Sequence, residues 1–251
     1  MLTRLDHLVV LVRDLEGATR DYEDLGFAVT QGGEHADGLT RNALVPFEDG
    51  SYLELVAFVD PDDPRDNVWG WRSFISSGGG LIDHCAASDD LRADTRRLED
   101  LGLEVNGPDD GGRRLPDGVE IRWRSARIRQ EGRVLPFLIE DLTPRSSRVP
   151  GGSAAVHPNG ATGVSRLEIA TPDPEGAARS LAALIGTPRK PLRLGACALL
   201  LAAPESDVAR RRIDAAGPGP LAVGLASDAP GGEELDRRLS HGIGIRLLGR
   251  S

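Results

Sequence analysis

A segment that returns along the chain is what most constrains its fold. Residues 5–18 run from the apolar strand Leu5-Asp6-His7-Leu8-Val9-Val10-Leu11-Val12 into an Asp14-Leu15 helix start. Residues 164–177 repeat that opening, from Val164-Ser165-Arg166-Leu167-Glu168-Ile169 to Asp173-Pro174-Glu175-Gly176-Ala177. A looser copy is Leu81-Ile82-Asp83-His84-Cys85-Ala86-Ala87, followed by Asp90-Leu91. Such copies predict one small unit used several times. Two of them carry a histidine near the same strand position, His7 and His84, and paired units can bring such groups over a shared cavity.

The first unit reads as a strand over 5–12 and a helix with Asp14 at its N-cap. Leu15, Ala18, Tyr22 and Leu25 fall at helical spacing, and Gly26 is the stop. Strands follow over 27–30, 42–47 and 52–59, separated by Gly32-Gly33 and by Glu48-Asp49-Gly50. The second unit has a strand over 81–87, a helix over 91–101 and strands over 103–105, 119–128 and 134–142, with a turn at Pro116-Asp117-Gly118. Both are βαβββ.

The Pro-, Gly- and Ser-rich stretch from residue 144 to 162 reads as a linker. It predicts a first domain over 1–148, a linker at 149–162 and a second domain over 163–251. That second domain would hold a third unit (strand 164–170, helix 174–185, strand region 192–202) and a reduced fourth (strand 221–226, helix 233–239, strand 243–248). Hairpins join the strands after each helix, so an α+β sheet fits better than a doubly wound one.

Composition excludes several functions. The net charge of −9 argues against nucleic acid as a partner. No apolar run approaches the roughly 20 residues of a membrane span, and no signal-peptide pattern opens the chain, so the expected location is cytoplasmic. Cys85 and Cys197 lie in apolar runs and read as buried free thiols. Lys190 is the only lysine, which disfavours Schiff-base chemistry. Dinucleotide, phosphate-loop, nucleophile-elbow and Cys-x-x-Cys motifs are absent.

Several short motifs then occur in a telling order: Asp6-His7-Leu8-Val9, Gly32-Gly33-Glu34-His35, Asn42-Ala43-Leu44 and Gly50-Ser51-Tyr52-Leu53-Glu54-Leu55. Pro116-Asp117-Gly118, Arg122-Trp123-Arg124 and Leu135-Pro136-Phe137-Leu138-Ile139 continue the series. Over residues 1 to about 148 this resembles the glyoxalase-like branch of the vicinal oxygen chelate superfamily. The resemblance implies tandem βαβββ modules paired into a curved half-barrel around a metal or ligand cavity, with a degenerate second pair of modules at the C-terminus.

Carried over residue by residue, the resemblance places metal ligands at His7, His84 and Glu140. Glu54 is either a further ligand or the catalytic base that moves a proton. The implied cofactor is a divalent ion (Zn, Fe, Mn, Co or Ni) acting as a Lewis acid on a small oxygen-rich substrate. His35 and Asn42 are implied substrate-binding residues. In Arg122-Trp123-Arg124 either Trp123 or the arginines face the cavity, so Trp123 and Arg124 are both candidates, and an arginine would suit an anionic substrate.

The register of the second module is open. Seven residues separate His7 from Asp14 but six separate His84 from Asp90, so aligning the helix starts puts Asp83 opposite His7. Aligning Pro61 with Pro144 likewise puts Phe137, not Glu140, opposite Glu54. Trp69 and Trp71 read as a pocket lid or a plug at the sheet edge. In the third unit Arg166 stands where His7 does, so the C-terminal half is expected to lack a metal.

Two functions follow. One is a metal-dependent lyase, isomerase or dioxygenase, and the other is a metal-free protein that binds or sequesters a small molecule. The modules can close within one chain or across a homodimer.

Overall fold

In the computed structural model, which describes residues 1–115, 118–187, 191–229 and 231–249, the repeated opening forms the centre of a sheet. The first module is β1 (Leu2–Leu11), α1 (Leu15–Asp24), β2 (Thr30–Glu34), β3 (Thr40–Pro46) and β4 (Tyr52–Phe58). The second is β5 (Gly80–Ser88), α2 (Leu91–Asp100), β6 (Val105–Arg114), β7 (Glu120–Ile128) and β8 (Phe137–Asp141). Their eight strands lie in the order β2-β3-β4-β1-β5-β8-β7-β6, a mixed sheet curled into a half-barrel. β1 and β5 pair antiparallel in the middle, with β4 parallel to β1 and β8 parallel to β5. The two modules are thereby related by an approximate twofold axis.

Side-chain parity divides the sheet into two faces. Leu8, Val10, Leu55, Ala86 and Leu138 pack toward the helices against Leu15, Tyr22, Leu91 and Leu98. Val9, Val56, Cys85, Phe137 and Ile139 point the other way, into the hollow of the half-barrel, where Trp71 and Phe74 meet them. Asp90 caps α2 by accepting from the Ala93 amide at 3.0 Å. Gly26 and Gly102 close α1 and α2 in left-handed backbone, at φ of 82° and 83°.

Past β8 come α3 (Arg145–Arg148), β9 (Ala161–Ala170), α4 (Pro174–Ile185), β10 (Leu192–Leu194), β11 (Cys197–Ala202), α5 (Asp207–Ala216), β12 (Gly219–Ser227) and β13 (Gly244–Gly249). They make a second sheet in the order β10-β11-β9-β12-β13. Its central strands, β9 and β12, are again antiparallel with parallel outer neighbours, so the module outline recurs. Leu167, Ile169, Val223 and Leu225 join the same hydrophobic cluster as Leu8 and Val10, so one core runs through both sheets. Both cysteines are free and buried. No helix among the described residues is long and apolar enough to cross a membrane.

Two expectations are corrected, and one helix is new. The short strand expected at 103–105 is the ten-residue β6, whose Gly- and Asp-rich sequence hides the strand signal but pairs along β7. The helix expected over 233–239 does not form. The Leu235 amide bonds to Ile245 and the Leu247 amide to Glu233, so strand-like pairing takes the backbone. Helix α5 was not anticipated. Pro116 and Asp117 of the expected turn lie outside the described residues.

Candidate functional site

The site starts from an irregularity in β1. Opposite β5, Leu5 pairs with Ala86 and His7 with Cys85, so Asp6 is an extra residue, a β-bulge. A regular strand would send Asp6 and His7 to opposite faces. Here His7 Nδ1 donates to Asp6 Oδ1 at 2.7 Å. Asp6 is fully buried and also accepts from Arg148 Nη1 and Nη2, at 3.0 and 3.1 Å, and from Arg145. Burial opposes its ionisation, but Arg148, His7 and Arg145 together hold its carboxyl well below the usual range. The His7 ring is clamped between Tyr52, stacked at 4.6 Å, and the edge of Phe137 at 5.3 Å.

With Nδ1 fixed, Nε2 of His7 points at β4, where it lies 3.4 Å from Glu54 Oε2. His35 Nε2 approaches the other oxygen of Glu54 at 3.5 Å, while its Nδ1 lies 2.8 Å from Thr40 Oγ1. Asn42 Nδ2 donates to Glu54 Oε1 at 2.6 Å. Burial pushes the Glu54 carboxyl up, but the His35 hydrogen bond, the charges of both imidazoles and the Asn42 amide outweigh it and bring it down to about 2. Glu54 is therefore a fixed anion at neutral pH.

Asn42 in turn accepts on Oδ1 from Arg113 Nη1 of β6 at 3.1 Å, and Arg113 Nη2 donates to the Arg148 carbonyl at 2.9 Å. The polar groups form a circuit: Glu54, Asn42, Arg113, Arg148, Asp6, His7 and back to Glu54. Its crowding shows at Gly32, where a Cβ would stand 1.9 Å from Asn42 Oδ1.

This circuit forms one side of a cavity of about 270 Å³ in the hollow of the half-barrel. That is near the lower end of small-molecule sites, ~300–1,000 Å³. Aromatic rings make up much of the remaining wall: Trp69, Trp71, Trp123 and Phe137. Trp69 and Trp71 stack on each other at 5.8 Å, and Trp69 packs on Phe137 at 4.4 Å, so the inter-module loop is built into the wall.

His7, Glu54, His35, Asn42 and Trp123 all line the cavity. His84, Glu140 and Arg124 do not, and strand parity explains each. His84 lies opposite Leu8, on the helix side, where neither ring nitrogen has a partner; burial and the charge of His7 lower its pKa to about 3. Glu140 shares the parity of Leu138 rather than that of Phe137 and Ile139, and sits 3.7 Å from Arg124. Arg124 itself donates to Asp110 at 3.0 Å, on the side of β7 away from Trp123. The residue that matches His7 is Asp83, which accepts from Trp71 Nε1 at 3.0 Å and lies 3.6 Å from Arg133. Asp6, Arg113 and Arg148 were missed by sequence reading.

The donors can be tested against a divalent ion. Asp6, His7 and Cys85 are the described trio of such donors within 4.8 Å of one another, but Arg148 and Arg145 occupy that carboxylate, and burial pushes the Cys85 thiol well up. His7 Nε2 and Glu54 fit better. At 3.4 Å they are too far apart for a good hydrogen bond and close to the ~3.4 Å between neighbouring ligands of a tetrahedral ion with ~2.1 Å bonds. The Asp6 carboxylate behind His7 is the outer partner that metal-bound histidines characteristically have.

No curated protein matches the chain by sequence. Among solved structures it is similar along its whole length to a hypothetical protein from Staphylococcus aureus, with 14% identity, TM-score 0.74 and full coverage of both chains. It is also similar to a 4-hydroxymandelate synthase mutant from Streptomyces coelicolor, at 16% identity and TM-score 0.60, over 91% of this chain and 72% of that one. At these identities the likeness is one of fold. A shorter match, to methylmalonyl-CoA epimerase from Mycobacterium tuberculosis, has 24% identity and TM-score 0.42 over 58% of this chain and 92% of that one. The model of the Glyoxalase-like domain matches residues 5–185, most of the chain and all of the cavity's polar circuit. The chain belongs to the glyoxalase-like domain family and has the fold of the vicinal oxygen chelate superfamily.

Proposed function

We propose that this protein is an enzyme acting on a small oxygen-bearing molecule, with a divalent ion held by His7 and Glu54. The observation that carries this reading is the pair formed by His7 Nε2 and the ionised Glu54 at 3.4 Å on the cavity wall. Bound there, the ion would supply Lewis-acid polarisation of a substrate oxygen, the chemistry that lyases, isomerases and dioxygenases of this kind share.

The protein groups divide the remaining work. Asp6 fixes the His7 tautomer, so that Nε2 offers its lone pair to the cavity. Glu54, with its carboxyl near 2, suits holding a cation better than accepting a proton, because so weak a base is far from the operating pH. His35 is across the Glu54 carboxylate, half-buried and on the cavity wall, and it is the group we assign to proton movement. Trp69, Trp123 and Phe137 keep water from one side of the substrate.

Elemental analysis of protein purified without chelator tests the ion. We expect one divalent ion per chain, lost in His7→Ala and retained in His35→Gln. A chain that neither carries nor takes up a divalent ion, cobalt(II) included, overturns the reading.

A second reading rests on Phe137. An apolar ring where the second module could have offered a ligand, together with the tryptophan wall, suits a metal-free protein that binds an aromatic small molecule. It is favoured if the metal analysis comes back empty.

A further inference from the structure

Arg113 is the unexplained charge of this cavity. It reaches the first module's site from β6 of the second and is only 7% exposed. Its Nη1 donates to an amide oxygen and its Nη2 to a main-chain carbonyl, both neutral acceptors, and its buried Nε has no acceptor. Among the described residues, no carboxylate is in ion-pair contact with it. The other buried guanidinium at the site is different: Arg148 is met by both Asp6 and Asp141. Glu54 would be the natural partner of Arg113, but Asn42 stands between them, giving its NH₂ to the carboxylate and its oxygen to the guanidinium.

Burying a cation without a counter-ion is costly, and arginine does not escape the cost by losing its proton. Burial does lower the affinity of Arg113 for its proton, but not to the point of neutrality. A charge kept in that condition on a cavity wall is completed by whatever enters the cavity. The cavity is small, and Trp69, Trp123 and Phe137 give it an aromatic wall. Arg113 is the buried cation on its wall that no described carboxylate meets (Arg127, which also lines it, is half-buried beside the Trp69 ring). A compact monoanion with an apolar body fits these three features together.

We infer that the cavity takes a small carboxylic acid as its substrate or ligand, with the carboxylate neutralised by Arg113 and the apolar body against Trp69, Trp123 and Phe137. This deepens the preceding proposal and rests on it only in taking the cavity as the reacting site. The orientation follows: the acid group sits toward Asn42 and Arg113, and the atoms next to it lie alongside Glu54, His35 and His7. Arg113 is then a specificity-determining residue.

Phenylacetate and its neutral counterpart phenylacetamide are matched probes, differing in charge at nearly constant shape. By calorimetry or ligand-observed NMR, wild-type protein should prefer phenylacetate by roughly tenfold or more, the strength of a charge-assisted contact. Arg113→Met should abolish the preference and Arg113→Lys should keep part of it. Asn42→Asp, which sets a carboxylate against the guanidinium, should also abolish it with Arg113 still present, and this variant decides the matter if Arg113→Met does not fold. Equal binding of both probes to wild type, binding of neither, or a preference surviving both Arg113→Met and Asn42→Asp would overturn the inference. The two proposals fail separately. An Arg113-dependent preference in a chain that takes up no metal refutes the ion at His7 and Glu54 and leaves this subsite standing. A metal-loaded chain indifferent to probe charge does the reverse.

Discussion

Phe137 occupies in the second module the place that Glu54 holds in the first. Glu54 pairs with Val9, five residues before the helix cap Asp14, and Phe137 pairs with Cys85, five residues before the helix cap Asp90. The twofold that relates the backbones therefore does not relate the chemistry. The two imidazoles and Glu54 face the cavity from the first module, and the second supplies aromatic rings, the guanidiniums of Arg113 and Arg127 and the carboxylates of Asp109 and Asp110. A ligand would be gripped at a charged end and an apolar end, which fixes its orientation.

Asp6→Asn should lower cobalt(II) affinity by about 10–100-fold, the usual effect of losing the partner behind a histidine ligand. Optical titration of the folded variant measures it. The accompanying loss of stability, from leaving Arg148 without its main anion, is read separately by thermal melting. Unchanged affinity would count against His7 as a ligand.

His84→Leu should stabilise the protein by about 1–3 kcal/mol at neutral pH, because it removes two buried ring nitrogens that have no partners. Metal content should not change. The gain should grow in acid. The folded His84 takes its proton only near pH 3, whereas the unfolded imidazole does so near 6.5. Between those values the unfolded state binds more protons, so wild type loses stability as pH falls from about 6.5 and the variant loses less. Denaturant melts at pH 7 and pH 4.5 provide the comparison.

Glu54→Gln addresses a lower window. The Glu54 carboxyl is depressed from 4.5 to about 2 in the fold, so its stabilising share is complete above pH 4.5 and is lost as pH falls toward 2. That share is roughly 3 kcal/mol. The variant should show a shallower decline in stability across that interval, and an unaltered slope would show that Glu54 is not held as an anion.

Gly32→Ala should disturb the circuit from outside it. The added methyl would meet Asn42 Oδ1 at 1.9 Å and Arg113 Nη1 at 2.8 Å, so the amide must move away from Glu54 or Arg113. A loss of about 1–3 kcal/mol is expected, as for other overpacked sites. Carboxylate selectivity should fall with it, and selectivity intact at full strength would place the Asn42–Arg113 contact outside recognition.

Much of this was readable in the sequence, for identifiable reasons. Alternating apolar strands, the Asp14 and Asp90 helix starts and the hairpin turns carry the βαβββ repeat, and His7, His35, Asn42 and Glu54 lie in short motifs within the first module. The second module's half of the site was not readable, because a one-residue ambiguity chooses between Asp83 and His84, and between Phe137 and Glu140, and only strand pairing resolves it. Arg113 escaped notice because Pro108-Asp109-Asp110-Gly111-Gly112 resembles a loop, although it lies within β6. Asp6 escaped because ordinary strand parity turns it away from His7, and nothing local announces a bulge.

Arg148 belongs to neither βαβββ repeat; it ends the short helix α3 that follows the second one. The side chain that neutralises Asp6, and whose carbonyl receives Arg113, is thus contributed by the segment leading into the C-terminal sheet. Anyone trimming this protein to its minimal duplicated unit, with a cut before residue 145, would discard the counter-ion behind the cavity-facing imidazole along with the apparent spacer. The excised piece would retain every cavity-lining histidine and lose the support that aims His7.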